Sequence, residues 1–223
     1  ANNIMSPSFF FILINYFFYD LNALLYKKYG KEVVEKVLDL NASVKGTMVG
    51  IAVINLIKEA ALLSSFQHDN IVAIYEFTSD PFCLVMEYCD KGSLRELLDA
   101  ENNSNTKLPL KYKIFLILSI CQGLNYVHNK GVVHGDLKCD NILLSTSKVF
   151  VLGNYKFPIP KLADFGLGQV GENTVCGGTP GYIAPEILKG SGLTIKTDIY
   201  ALGMVMFEIL SGARPAPPNP DLL

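Results

Sequence analysis

VVHGDLKCDNILL, residues 132–144, and LADFG, residues 162–166, decide how this chain is read. The first stretch sets His134, Asp136, Lys138 and Asn141 at close spacing in one loop. The apolar run Ile142–Leu144 follows directly and is long enough to fix that loop on a short buried strand. In the second stretch Asp164 stands in another loop, behind a further apolar pair. Two carboxylates, an amide and an ammonium, each held between apolar anchors, suit a metal–nucleotide site. The oxygens serve Mg²⁺ and the cation serves phosphate.

Two more motifs follow in order, GTPGYIAPE at 178–186 and DIYALG at 198–203. A lone Asp-Phe-Gly occurs by chance, but the ordered set HGDLKxxN, DFG, GTPGYIAPE and DIYALG resembles the eukaryotic protein kinase domain. The resemblance implies an α+β, two-lobed fold with a small β-rich N-lobe and a mainly helical C-lobe. It also implies an ATP- and Mg²⁺-dependent enzyme that transfers the γ-phosphate to a protein hydroxyl. By it, Asp136 would orient the substrate hydroxyl and accept its proton, and Lys138 would neutralise the transferring group. Asn141 and Asp164 would hold Mg²⁺. Thr179 would bridge Asp136 and Lys138, which together with Lys138 implies serine/threonine specificity, most like the tyrosine-kinase-like group. Asp198 would anchor the catalytic loop from below. Leu63, Ile74, His134 and Phe165 match the family's stacked core column, so His134 is expected to pack and not to act as a base.

Composition sets the outer bounds. The chain has 223 residues, half of them hydrophobic and 18% charged, as expected for a packed globular protein. A net charge of −2 gives no basic footprint for nucleic acid. Five cysteines, odd in number and without CxxC pairing, imply reduced thiols and a cytoplasmic protein. Cys139 lies inside the catalytic loop, where ordinary packing is weighed above reactivity. The partner expected is a protein substrate.

The chain divides into three parts: residues 1–25, an apolar segment; 26–89, a degenerate N-lobe; and 90–223, a C-lobe cut short after a helix ending near Gly212. Starting at Ala1 and stopping at Leu223, it reads as a piece of a longer product. The block Phe9–Tyr19 falls short of the roughly 20 apolar residues of a spanning helix. A membrane-associated remnant, a buried helix and translated non-coding sequence all fit it.

The N-lobe departs from the family. Gly30 stands alone and no GxGxxG occurs, so the loop that covers ATP phosphates is not evident. Lys45-Gly46-Thr47 reads as a turn into a strand, MVGIAV, and the family's Val-Ala-Ile-Lys aligned there puts Ile54 where the lysine belongs. A helix LIKEAALLSS follows at 56–65, with Glu59 at the family's helix glutamate. Lys58 is nearest but reads as a solvated neighbour. A deletion across Val53–Lys58 would explain both the lost lysine and the short connection. Gln67–Phe77 and Phe82–Asp90 read as strands. By resemblance Met86 would be the gatekeeper, the backbones of Glu87 and Cys89 would bond adenine, and Ala52 and Leu143 would sandwich the ring.

Downstream, Ser93 and Glu96 form a capping box, and a helix from Leu110 to Asn129 carries a stripe of Ile114, Ile117, Leu118, Cys121 and Leu124. Ser145–Pro160 reads as an extended hairpin turning at Gly153-Asn154, or as a docking insertion. Thr197 reads as the N-cap of a helix over 194–212. Gly135 replaces the arginine that clamps a loop phosphate, so phosphorylation at Thr174 should gain little. Glu208 is either a selector of basic substrate residues or a plain surface acid. Glu186 is expected buried without its arginine. The alternative to an active kinase is a pseudokinase acting as a binding scaffold, because the glycine loop and strand lysine look missing.

Overall fold

Four strands of six to eight residues build an antiparallel sheet near the N-terminus, and longer apolar-striped helices with a β-hairpin build much of the rest. The computed structural model describes residues 21–28, 31–38, 54, 57–80, 82–104, 106–165, 169–170 and 178–216. Strands β1 (Leu21–Lys28) and β2 (Lys31–Leu38) are joined across residues 29–30, with Lys28 opposite Lys31. β2 pairs with β4 (Phe82–Glu87), and β4 with β3 (Ile74–Ser79), so the sheet runs β1-β2-β4-β3. It therefore takes in residues 21–25 of the apolar segment. Helix α1, residues 57–64, follows the sheet's second strand in sequence.

The main core gathers around α3 (Leu110–Asn129). Its buried residues, Tyr112, Leu116, Ile120, Leu124 and Val127, repeat every three to four positions. The expected stripe was turned partly outward: Ile117 and Leu124 are buried, but Ile114 and Leu118 are 45% and 57% exposed. A broad run of apolar residues around the helix leaves its phase undetermined, and packing against β7 chose a neighbouring face. Gly123 lies on that inner face, where a Cβ would meet the Asn70 carbonyl at 2.8 Å. The helix ends at Lys130, and Gly131 takes the left-handed conformation (φ 72°) after it.

α2 (Leu94–Asn102) opens on the capping box of Ser93 and Glu96. Strands β5 (Val132–Val133) and β8 (Gln169–Val170) pair, and between them β6 (Ile142–Leu152) and β7 (Tyr155–Leu162) form the extended hairpin. Leu152 lies opposite Tyr155, so Gly153-Asn154 is the two-residue turn, with Gly153 at φ 61°. Phe157 stacks on Tyr112 (4.4 Å) and Phe150 on Phe115 (4.3 Å), fixing the hairpin to α3.

α4 (Pro185–Leu188) is one turn, and α5 (Ile195–Ser211) closes the described chain. Thr194, not Thr197, is the N-cap of α5. The two hydroxyls reciprocate, Thr197 filling the third helical position. Gly212 ends the helix in the left-handed conformation. Among the described residues, no helix is long and apolar enough to cross a membrane.

Candidate active site

Asp136, Lys138, Asn141 and Thr179 meet in one hydrogen-bonded cluster. Lys138 Nζ donates to Asp136 Oδ2 and to Thr179 Oγ1, both at 2.7 Å. Thr179 Oγ1 donates in turn to Asp136 Oδ1 at 2.8 Å. Asn141 Nδ2 donates to the Asp136 carbonyl (2.8 Å) and to its Oδ2 (3.1 Å). A carboxylate offers about four acceptor positions. Three are used, so Oδ1 keeps one for a further hydroxyl.

The loop that carries Asp136 is held from below. The buried Asp198 carboxylate accepts from His134 N (2.8 Å) and Gly135 N (2.9 Å), and His128 Nε2 lies 2.8 Å from it. Gly135 sits at φ 83°, which side-chain-bearing residues rarely adopt. His134 is fully buried, its ring 4.5 Å from that of Phe165 and its Nε2 3.1 Å from the Ala163 carbonyl. Phe165 also meets Phe66, and Leu63 and Ile74 belong to the same core. His134 therefore packs, as expected.

Asp164 is the only non-glycine residue with positive φ (62°) among the described residues. Such a backbone costs on the order of 1 kcal/mol and persists because its surroundings determine it. The Ala163 N–H donates to the Asn141 carbonyl at 2.9 Å, which ties this loop to the catalytic one.

The largest correction concerns the lysine. Ile54 is off any strand and 52% exposed, so it stands in no lysine's place. On β2, Lys36 Nζ lies 2.7 Å from Glu59 Oε2 of α1, and both side chains are buried, 10% and 4% exposed. Burial pulls the Lys36 ammonium down, but the charges of Glu59 and Asp164 outweigh it and hold its pKa above the ordinary lysine value. The same burial would neutralise Glu59; contact with Lys36 opposes it. Lys36 and Glu59 are 23 residues apart, so no deleted segment is needed. The strand MVGIAV and Ala52 lie outside the described residues.

The family model for the protein kinase domain matches residues 22–221. The chain belongs to the protein kinase family. Among its relatives, a probable serine/threonine-protein kinase of Dictyostelium discoideum is 34% identical over 170 residues, 71% of this chain and 15% of that protein. Leucine-rich repeat serine/threonine-protein kinase 1 of Mus musculus is 35% identical over 168 residues, covering 71% of this chain and 8% of the relative. An Arabidopsis thaliana protein named a receptor protein-tyrosine kinase is 35% identical over 169 residues, 70% of this chain and 16% of its own length. The chain thus spans less than a fifth of each of these relatives.

The remaining residues singled out by the resemblance fall at the end of β4, along the linker after it and on the hairpin. Met86 lies opposite Val34 on β2, the position two before Lys36 and on the same face. The Glu87 N–H donates to the Ala73 carbonyl at 2.8 Å. Cys89 is buried, and burial together with the Glu87 charge pushes its thiol up to about 12. Leu143 is bridged to Ser93. Cys139 is fully buried and its thiol is pushed up by burial and by Glu208, which leaves no reactive thiolate. Lys58 is exposed.

Glu208 is neither of the things expected of it. It is 1% exposed, paired with Arg95 of α2 and hydrogen-bonded to the Tyr182 hydroxyl. The apolar i−3 and i+1 neighbours hid this, because a buried acid in a helix shows no sequence signature without its distant partner. Glu186 is only half-buried. Thr174 lies outside the described residues.

Proposed function

We propose that this domain is an ATP-dependent serine/threonine protein kinase that phosphorylates a protein hydroxyl. The observation that carries the reading is the buried Lys36–Glu59 pair within electrostatic reach of Asp164. It supplies the phosphate-binding cation whose apparent absence was one ground for the scaffold alternative.

Asp136 orients the substrate hydroxyl with the free acceptor on Oδ1 and receives its proton as the oxygen attacks the γ-phosphorus. The bond from that phosphorus to the β–γ bridging oxygen breaks, and ADP leaves. Lys138, held by Asp136 and Thr179, places positive charge beside the group in transit. Lys36, held by Glu59, binds the phosphates that stay behind. The link from Lys138 to Thr179 supports serine and threonine over tyrosine as acceptors.

The donor set fits Mg²⁺. The Asn141 amide spends its N–H groups on Asp136, which leaves its oxygen for a cation, and Asp164 adds a carboxylate. Among the described residues no cluster of three acidic, histidine or cysteine side chains forms a closed metal cage. Two oxygen donors suit an ion shared with substrate phosphates. When bound, Mg²⁺ neutralises phosphate charge. Ala52, Met86, Leu143 and the backbones of Glu87 and Cys89 are assigned to adenine by family resemblance. A cytoplasmic location is supported by the free thiols of Cys83, Cys89, Cys121 and Cys139.

Thermal melting with and without Mg²⁺·ATP tests this. Ligand at about 100 times its dissociation constant adds roughly 2.7 kcal/mol, a shift of about 5–10 °C for a domain of this size. The shift should vanish in Asp164→Ala. A cooperative melt that ATP leaves unmoved would refute the assignment.

A further inference from the structure

The end of β4 and the linker that joins it to α2 are tied to the β6–β7 hairpin at Glu87, Asp90, Lys91 and Gly92. Ser147 Oγ donates to Glu87 Oε1 (3.1 Å), and Lys161 Nζ lies 3.0 Å from Glu87 Oε2. Thr146 donates to Asp90 from both its N–H and its hydroxyl, each at 2.7 Å. The Lys91 N–H donates to the Leu144 carbonyl and the Leu144 N–H to the Gly92 carbonyl. A register shift between Ser145 and Val149 takes the intervening residues out of the ladder and makes Thr146 and Ser147 available for these contacts.

One of these ties differs in kind. The Glu87 and Lys161 side chains are 11% and 8% exposed, a buried ion pair, and Glu87 also accepts from Ala73 N at 3.3 Å. Lys161 stands three residues before Asp164. Its neighbour Leu162 exchanges hydrogen bonds with Asn70 and Val72, so the strand around it is fixed on both sides. A single ammonium thereby joins the linker to the strand that delivers the metal loop.

We propose that Lys161, acting through Glu87, is a positioning residue for nucleotide binding: it holds the linker backbone in register with Asp164. The inference rests on the kinase assignment above. Without the tie the linker samples other arrangements, and nucleotide binds only the competent fraction. If that fraction falls to about a tenth, apparent affinity weakens about tenfold, with the loss in KM and not in kcat.

The experiment compares the unaltered chain with Lys161→Met, Lys161→Arg and the double variant Glu87→Gln/Lys161→Met. Each is measured for melting temperature, Mg²⁺·ATP affinity, and KM and kcat for ATP. Lys161→Met leaves a buried carboxylate unpaired and should melt lower. The double variant removes both charges and should regain most of that loss. Positioning predicts that the double variant, though stable again, still shows about tenfold higher KM for ATP, while Lys161→Arg stays close to the unaltered chain. A double variant that recovers stability and affinity together would overturn the proposal, as would a loss in kcat with KM unmoved. A folded, unaltered chain that binds no Mg²⁺·ATP refutes the kinase assignment and this inference with it. Normal binding that ignores every Lys161 variant refutes this inference alone.

Discussion

Lys36→Met should lower phosphate transfer by about two to three orders of magnitude, the usual cost of removing one preorganised charge contact. Ile54→Ala and Lys58→Ala should leave it nearly unchanged. The contrast follows from geometry: Lys36 is buried against Glu59 and acted on by Asp164, whereas Ile54 and Lys58 face solvent. A radiolabelled phosphate-transfer assay on the three variants decides it, and activity that survives in Lys36→Met would refute the role. The variant should also lose a pH dependence. Because the folded pKa of Lys36 lies above its ordinary value near 10.5, its stabilising contribution is complete below that value. It fades as pH rises through the higher folded pKa. Alkaline melting of the unaltered chain should therefore show a decline that Lys36→Met lacks.

The largest stability effect is expected at Glu208. Glu208→Ala takes from the Arg95 guanidinium, 12% exposed, its buried carboxylate and leaves it the Tyr182 hydroxyl and the half-exposed Asp140; removing one member of a buried pair costs about 3–5 kcal/mol. For a domain of this size that is a fall of about 6–20 °C in Tm. Joint replacement, Arg95→Met with Glu208→Leu, should recover most of it. Burial raises the Glu208 carboxyl, but hydrogen bonds from Arg95, Tyr182 and Cys139 outweigh this and depress it below its ordinary 4.5. Its contribution is therefore present above that pH and lost as pH falls through the lower folded value. Thermal melts from pH 7 down to 3 should show less acid sensitivity in the double variant. A Glu208→Ala chain as stable as the parent would dismiss the account. Arg95 Nε also lies 3.6 Å from Asp140, so the same cluster braces the catalytic loop.

Most of the C-terminal part was legible because its signals are local. HGDLKCDN, DFG and GTPGYIAPE hold their groups within a few residues, and Gly153-Asn154 marks its turn by backbone chemistry alone. Lys36 was missed because it sits in KEVVEKVL, where two glutamates and two lysines blur the alternation of a strand. The available signal was Val33, Val34 and Val37 within KEVVEKVL: as a strand this run puts Lys36 on the face of Val34, two positions away. Glu208, Arg95 and Tyr182 are more than 25 residues apart in every pairing, so only the folded chain brings them together. The phase of α3 and the cap of α5 failed for a related reason. A helix with apolar residues around most of its girth, or with two threonines at its start, is resolved by packing and not by pattern.

Asp198 has a consequence for motion. His134 and Gly135 lie outside any strand or helix, yet both amides donate to a carboxylate that is 1% exposed and belongs to α5. To open either amide to water, the first turn of that helix has to separate from the loop and strand a charge. In native-state hydrogen exchange these two amides should therefore survive as long as those in the middle of α3, and much longer than those at the tip of the β6–β7 hairpin. The segment is a loop in shape, and in its lifetime it belongs with the slowest-opening unit of the molecule.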